Sequence, residues 1–128
     1  MLVLSKYKPE IKIHLKNGLY VFDSQSATGK TRLRKELRKL QQYGEKVASY
    51  SYEDYQLGIP INTVLNPNKY KLILLDRYDM YNGIGSDLIL NCIEKSTVLI
   101  DCKGDLGFGA EYNWCTIEMS ERVIEVIE

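Results

Sequence analysis

The feature that most constrains this chain is a change of hydrophobic period between residues 19 and 43. Leu19-Tyr20-Val21-Phe22 is continuously apolar, which is how a strand buried on both faces reads. A polar stretch from Asp23 to Thr28 follows. Leu33, Leu37 and Leu40 then recur at helical spacing and line one face. Tyr43 extends that stripe, and Gly44 is placed to stop the helix. The expectation is a buried strand running through a polar loop into an amphipathic helix that begins near Gly29.

The flanking sequence repeats the alternation of strand and helix. Before Leu19, Ile11, Ile13 and Leu15 alternate with Lys12, His14 and Lys16, and Asn17-Gly18 follows. Asn-Gly is a strong hairpin signal, because both turn residues need positive φ. The expectation is a half-covered edge strand paired in a hairpin with the buried strand after it. Lys46 to Tyr52 reads as the next strand, and residues 53 to 69, broken by Pro60 and Pro67, give no clear pattern. Lys71 to Asp76 and Thr97 to Asp101 are apolar runs that each end in a carboxylate. Between them a Gly83-Ile84-Gly85 turn leads to Ser86, expected to cap a short helix through Glu94. Gly104, Gly107 and Gly109 mark a flexible loop, and Cys115–Met119 and Val123–Ile127 read as closing strands. Apolar strands alternating with helices predict one α/β domain over residues 1–128. Its central sheet should be mostly parallel, covered on both faces in three layers, with antiparallel hairpin edges. Ligands of such sheets bind beyond the carboxyl ends of the strands, where Asp23, Ser24, Asp76 and Asp101 all fall.

Composition narrows the function classes. The 128 residues carry 17 basic and 17 acidic side chains, so bulk charge favours neither nucleic acid nor a membrane surface. No apolar run approaches the length of a membrane span. Cys92, Cys102 and Cys115 lack metal or redox spacing, and a reducing cytoplasm is the expected setting. His14 has no histidine partner and receives no catalytic role. The ten tyrosines read first as strand and surface packing, with a base-stacking platform as the alternative.

Ser24-Gln25-Ser26-Ala27-Thr28-Gly29-Lys30-Thr31 matches G-x-x-x-x-G-K-[ST] except at its first position, where Ser24 replaces glycine. A loop of this length turns its backbone N–H groups inward toward phosphate oxygens, and the following helix adds unpaired donors at its N-terminus. Gly29 allows close approach. Lys30 would neutralise β- and γ-phosphate charge, and Thr31 would offer a hydroxyl to Mg²⁺.

With this motif, residues 11 to 101 resemble the core of the P-loop NTPases. Leu72-Ile73-Leu74-Leu75-Asp76 is similar to their Walker B strand. The Asn17-Gly18 hairpin is similar, more loosely, to one found in ABC and AAA-like ATPases. The resemblance implies ATP or GTP as ligand, Asp76 and Thr31 as Mg²⁺ ligands, Lys30 and Asp76 in the catalytic machinery, and a polar sensor role for Asp101. Arg77 stands where many hydrolysing members carry the water-activating glutamate, so the base must come from elsewhere. Glu53 is the first choice, with Asp54 and Asp79 beside it.

Two other functions stay open. Ser24, the missing glutamate and the lack of an arginine finger suit a non-enzymatic interaction module on a degenerate P-loop scaffold. Its partner would dock on the basic helix that carries Arg34, Lys35, Arg38 and Lys39. Asp76-Arg77-Tyr78 resembles the D-R-Y of thymidylate kinases, although only Arg122 follows residue 80 where such kinases carry an arginine-bearing lid. A scarcity of arginine in cis also suggests that a protein partner or a second copy completes the site.

Overall fold

The computed structural model describes residues 2–3, 9–23, 29–81 and 83–128. Among these residues eight strands form one mixed sheet: β1 (Leu2–Val3), β2 (Glu10–Ile13), β3 (Gly18–Phe22), β4 (Val47–Tyr50), β5 (Leu72–Leu75), β6 (Thr97–Ile100), β7 (Asn113–Met119) and β8 (Val123–Ile127). The α-helices among the described residues are α1 (Lys30–Gln42), α2 (Tyr52–Gln56) and α3 (Ser86–Cys92). Short 3₁₀ turns cover Ile61–Thr63 and Tyr78–Tyr81. The strand order is β1-β2-β8-β7-β3-β6-β5-β4. The five from β7 to β4 are mutually parallel. β8 turns back antiparallel to β7, β2 lies parallel to β8, and β1 closes that side antiparallel to β2.

Burial follows the sequence pattern. β4, β5 and β6 are buried at every position. β2 buries only Ile11 and Ile13, and β8 only Ile124 and Val126, so this flank is covered on one face. Leu33 and Leu37 of α1 are fully buried against one side of the sheet, with Phe22, Leu72, Leu74 and Leu99. The other side carries Val21, Ile73, Leu75 and Ile100, and packs on Ile61, Leu65, Tyr78, Tyr81 and Ile89 from the intervening turns and α3. Truncating a fully buried leucine in such a layer costs about 2–5 kcal/mol.

The structure corrects three local expectations. Asn17-Gly18 does not close a hairpin, because β2 and β3 are not neighbours: β8 and β7 lie between them. The backbone around Asn17 is held by the start of β6 instead. Gly18 N donates to Ser96 O at 3.1 Å, the Asn17 amide to Glu94 O at 3.2 Å, and Thr97 Oγ1 to Lys16 O at 3.2 Å. Both sides of β3 are taken by parallel partners, which leaves β2 no edge to pair with. The antiparallel hairpin is the later one, β7–β8. Second, Ser86 is the first residue of α3, which ends at Cys92. Gly85 precedes it at φ 75° with no side-chain cap. Third, Tyr43 is 83% exposed and does not extend the α1 stripe, since the helix ends at Gln42. Gly44 does mark the stop, at φ 86° with its N–H donating to Gln41 O at 3.1 Å.

Among the described residues, Tyr20, Tyr50, Tyr70, Tyr78 and Tyr81 are buried packing residues. Tyr50, Tyr78 and Tyr81 meet edge to face with ring centroids 5.3 Å apart. The hydroxyls of these rings donate to backbone carbonyls: Tyr50 to Ile59, Tyr78 to Ile84 and Tyr81 to Asp76. Burial pushes the Tyr78 phenol up to about 12 and raises that of Tyr81 as well.

Candidate functional site

The parallel register sets the ends of the strands side by side. Val21 pairs with Ile100, and Ile100 with Leu75, which in turn pairs with Tyr50. The residues that follow, Asp101, Asp76 and Ser51, therefore line the carboxyl rim of neighbouring strands, close to the end of β3. The ladder extends past the strands: Asp101 N donates to Leu75 O at 2.9 Å and Asp76 N to Tyr50 O at 2.8 Å.

α1 brings two cations to this rim. Lys30, its first residue, donates from Nζ to Asp101 Oδ1 at 2.7 Å, and the two side chains are only 19% and 11% exposed. One turn on, Arg34 places Nε 3.1 Å from Asp76 Oδ2. That contact is ionic without hydrogen-bond alignment, since Arg34 Nε lacks a hydrogen-bonded partner. Burial lifts the Asp76 carboxyl to about 6, and the neighbouring Asp101 carboxylate pushes the same way; Arg34 and Arg77 oppose both. The site is thus two acids in mutual contact, held between lysine and arginine.

Gly29, just before Lys30, has φ −89° and ψ −20°, a conformation open to any residue. Space restricts it: a Cβ there would lie 2.6 Å from Ile117 Cγ2 and 3.4 Å from Met119 Sδ. The glycine of the G-K-T triplet lets the start of α1 sit directly on β7. Thr31 is exposed on the first turn of α1. Ser24, Gln25, Ser26, Ala27 and Thr28 lie outside the described residues.

The candidate bases separate by environment. Asp54 is buried, closes a capping box with Ser51 at the start of α2, and receives Arg38 Nη2 at 2.6 Å. Its carboxylate is committed to structure. Asp79 accepts from Lys103 N at 3.2 Å and lies 3.6 Å from Arg77 Nη2, tying the turn after β5 to the loop after β6. Glu53 is exposed on α2, and among the described residues it makes no ion pair with Lys30 or Arg34. His14 bonds Glu125 across β2 and β8 at 2.8 Å, away from the rim.

An open cleft of about 980 Å³ runs from Lys30 and Asp101 past Phe22 and Asp23 to the loop Cys102–Asp105, and on to Tyr112 and Trp114. Trp114, which the sequence reading did not single out, is 56% exposed, with the Tyr112 ring edge-on to it at 5.5 Å. A signal for it was present: it is the chain's one tryptophan, at the head of a strand whose buried positions begin only at Cys115. Among the described residues no group of three or more His, Cys, Asp or Glu is placed to share a metal ion. No helix among them is long and apolar enough to cross a membrane. Comparison of the chain with protein-family models, with curated proteins and with solved structures finds no match.

Proposed function

We propose that the chain binds a nucleoside triphosphate, ATP in the first instance, at the carboxyl rim of its parallel sheet. On this reading it is a small P-loop NTPase-like domain that hydrolyses the nucleotide slowly with Mg²⁺, or faster with a partner. The observation that carries the reading is Lys30. It leaves the first turn of α1 with its ammonium group at the rim, 2.7 Å from Asp101 and beside a strand end that bears Asp76. A polyphosphate arriving at the N-terminus of α1 would take over Lys30 and meet the helix's unpaired N–H groups.

The acids suit the cation this function needs. Mg²⁺ in nucleotide sites is typically held by one or two carboxylates together with substrate phosphates and water. Asp76 and Asp101 supply that number; burial first and the Asp101 carboxylate second raise the Asp76 carboxyl, and a divalent cation would offset both. Thr31 would add a hydroxyl. When bound, the ion would neutralise charge on the phosphates. The protein's own part is to orient them through Lys30 and to hold Asp76 by the Tyr81 hydroxyl on its backbone. Glu53 remains the candidate for orienting water, since Asp54 and Asp79 are engaged elsewhere.

Calorimetric titration with non-hydrolysable ATP and GTP analogues, with and without Mg²⁺, tests the proposal. The expected result is Mg²⁺-dependent heat that disappears in Lys30→Ala. No heat at millimolar nucleotide, or heat unchanged in that variant, overturns it.

One observation favours a second reading, an interaction module without turnover. Lys30 and Arg34 already have acidic partners, so phosphate must break an existing pair to bind. Robust hydrolysis by the isolated chain excludes this reading. Size-exclusion chromatography of the active species then shows whether a second copy is needed to complete the site.

A further inference from the structure

We infer that Trp114, with Tyr112 braced edge-on against it, is the surface on which the base of the bound nucleotide stacks. The inference rests on the nucleotide reading and names the part of the ligand that reading leaves without a partner.

Three observations carry it. First, Trp114 and Lys30 line the same cleft. Trp114 pairs with Val21 on one side of β3 and Ile100 pairs with Val21 on the other. The tryptophan backbone is therefore two strand spacings, about 10 Å, from β6, whose end Asp101 follows. That is the scale separating the base of a mononucleotide from its outer phosphates. Second, Cys115 packs toward α1, so strand alternation turns Trp114 to the opposite side. It still lines the cleft together with the loop Cys102–Asp105 and Lys30. Third, Trp114 is 56% exposed while Tyr112 holds its edge at 5.5 Å. More than half of the indole surface is open to solvent beside that T-shaped contact, and a base ring stacks on such a surface whatever its identity. The acids along the cleft, Asp23, Asp101 and Asp105, disfavour a long phosphate backbone and favour a single nucleotide whose charge is gathered at Lys30.

The experiment uses the chain's one tryptophan, whose fluorescence reports on this position alone. A non-hydrolysable ATP analogue and inorganic tripolyphosphate are titrated into the wild type, Trp114→Ala and Trp114→Phe, with affinities read by calorimetry and the fluorescence followed in the wild type. The expected result is that the analogue quenches the fluorescence and binds Trp114→Ala about 5- to 150-fold more weakly. Trp114→Phe, which keeps a stacking ring, retains most of the affinity, and tripolyphosphate binds all three proteins alike. Analogue affinity unchanged in Trp114→Ala overturns the inference and leaves the nucleotide reading standing. So does an equal loss for tripolyphosphate, which would mean that Trp114 acts through the fold. Should Trp114→Ala not fold, binding of the analogue to wild type without any change in fluorescence overturns the inference by itself. Binding of neither probe removes both readings. Quenching by single-stranded oligonucleotide but not by the mononucleotide reassigns the surface to nucleic acid.

Discussion

Asp76 is an acid whose ordinary value, 3.8, is pushed up to about 6 in the folded protein. The folded form therefore holds a proton through a pH window where the unfolded chain has released it. Between pH 3.8 and about 6, the contribution of Asp76 to stability falls as pH rises, and above that window it is constant. The groups facing it are Asp101, Arg34, Arg77 and the Tyr81 ring. In protein free of nucleotide and divalent cation, the melting temperature of Asp76→Asn relative to wild type should rise from pH 4 to pH 6 and then level off. A flat difference across that range would show that the carboxyl titrates normally. Gly29 makes a second prediction at this scale. Gly29→Ala should cost about 1–3 kcal/mol, because its methyl would meet Ile117 Cγ2 at 2.6 Å and not because of backbone strain. In an Ile117→Ala background the penalty should shrink, read as a coupling energy in a double-mutant cycle of urea midpoints. Lys30 and Asp76 could be picked out from the sequence, because a motif and a strand end mark them. The packing reason for Gly29 was not legible, because its neighbour Ile117 is 88 positions away in sequence.

Among the elements, α2 shows how a candidate base becomes a structural acid. Five residues give a helix little stability of its own, so its start depends on Ser51 and Asp54, with Arg38 reaching across from α1. Asp54→Ala removes the capping box and leaves Arg38 without its carboxylate. It should lower unfolding stability by about 1–3 kcal/mol, measured by urea denaturation, and leave Lys30-dependent nucleotide binding in place. Loss of turnover with unchanged stability would return Asp54 to the chemistry. Strand identities were the most readable part of the sequence: β5, β6, β7 and β8 lie where their apolar patterns put them. Pairing was not. Asn17-Gly18 is a good local turn, but the local signal says nothing of the two parallel neighbours that claim β3. α2 was also obscure, because a five-residue helix shows no full period.

At the level of the whole molecule, residues 113–127 close the sheet. β7 is one neighbour of β3 and β8 is one neighbour of β2, so the hairpin joins the parallel half to the β1–β2 flank. α1 grips its tip, with the Arg32 guanidinium donating to Ser120 O and Glu121 O at 3.4 Å. A chain ending at residue 112 should lose cooperative thermal unfolding and aggregate, since it bares one edge of β3. Circular dichroism melting and light scattering check this, and a sharp melt with a monomeric profile would show that the parallel half stands alone.

That insertion also sets an order of events. β2 precedes β3 in the chain, yet it can take its final place only once the segment from Asn113 to Ile127 has been made and folded back between them. During synthesis the N-terminal strands must wait, and the exposed apolar positions Ile11 and Ile13 must stay out of aggregates until then. Until that hairpin forms, β2 has, among the described residues, only the two residues of β1 to pair with.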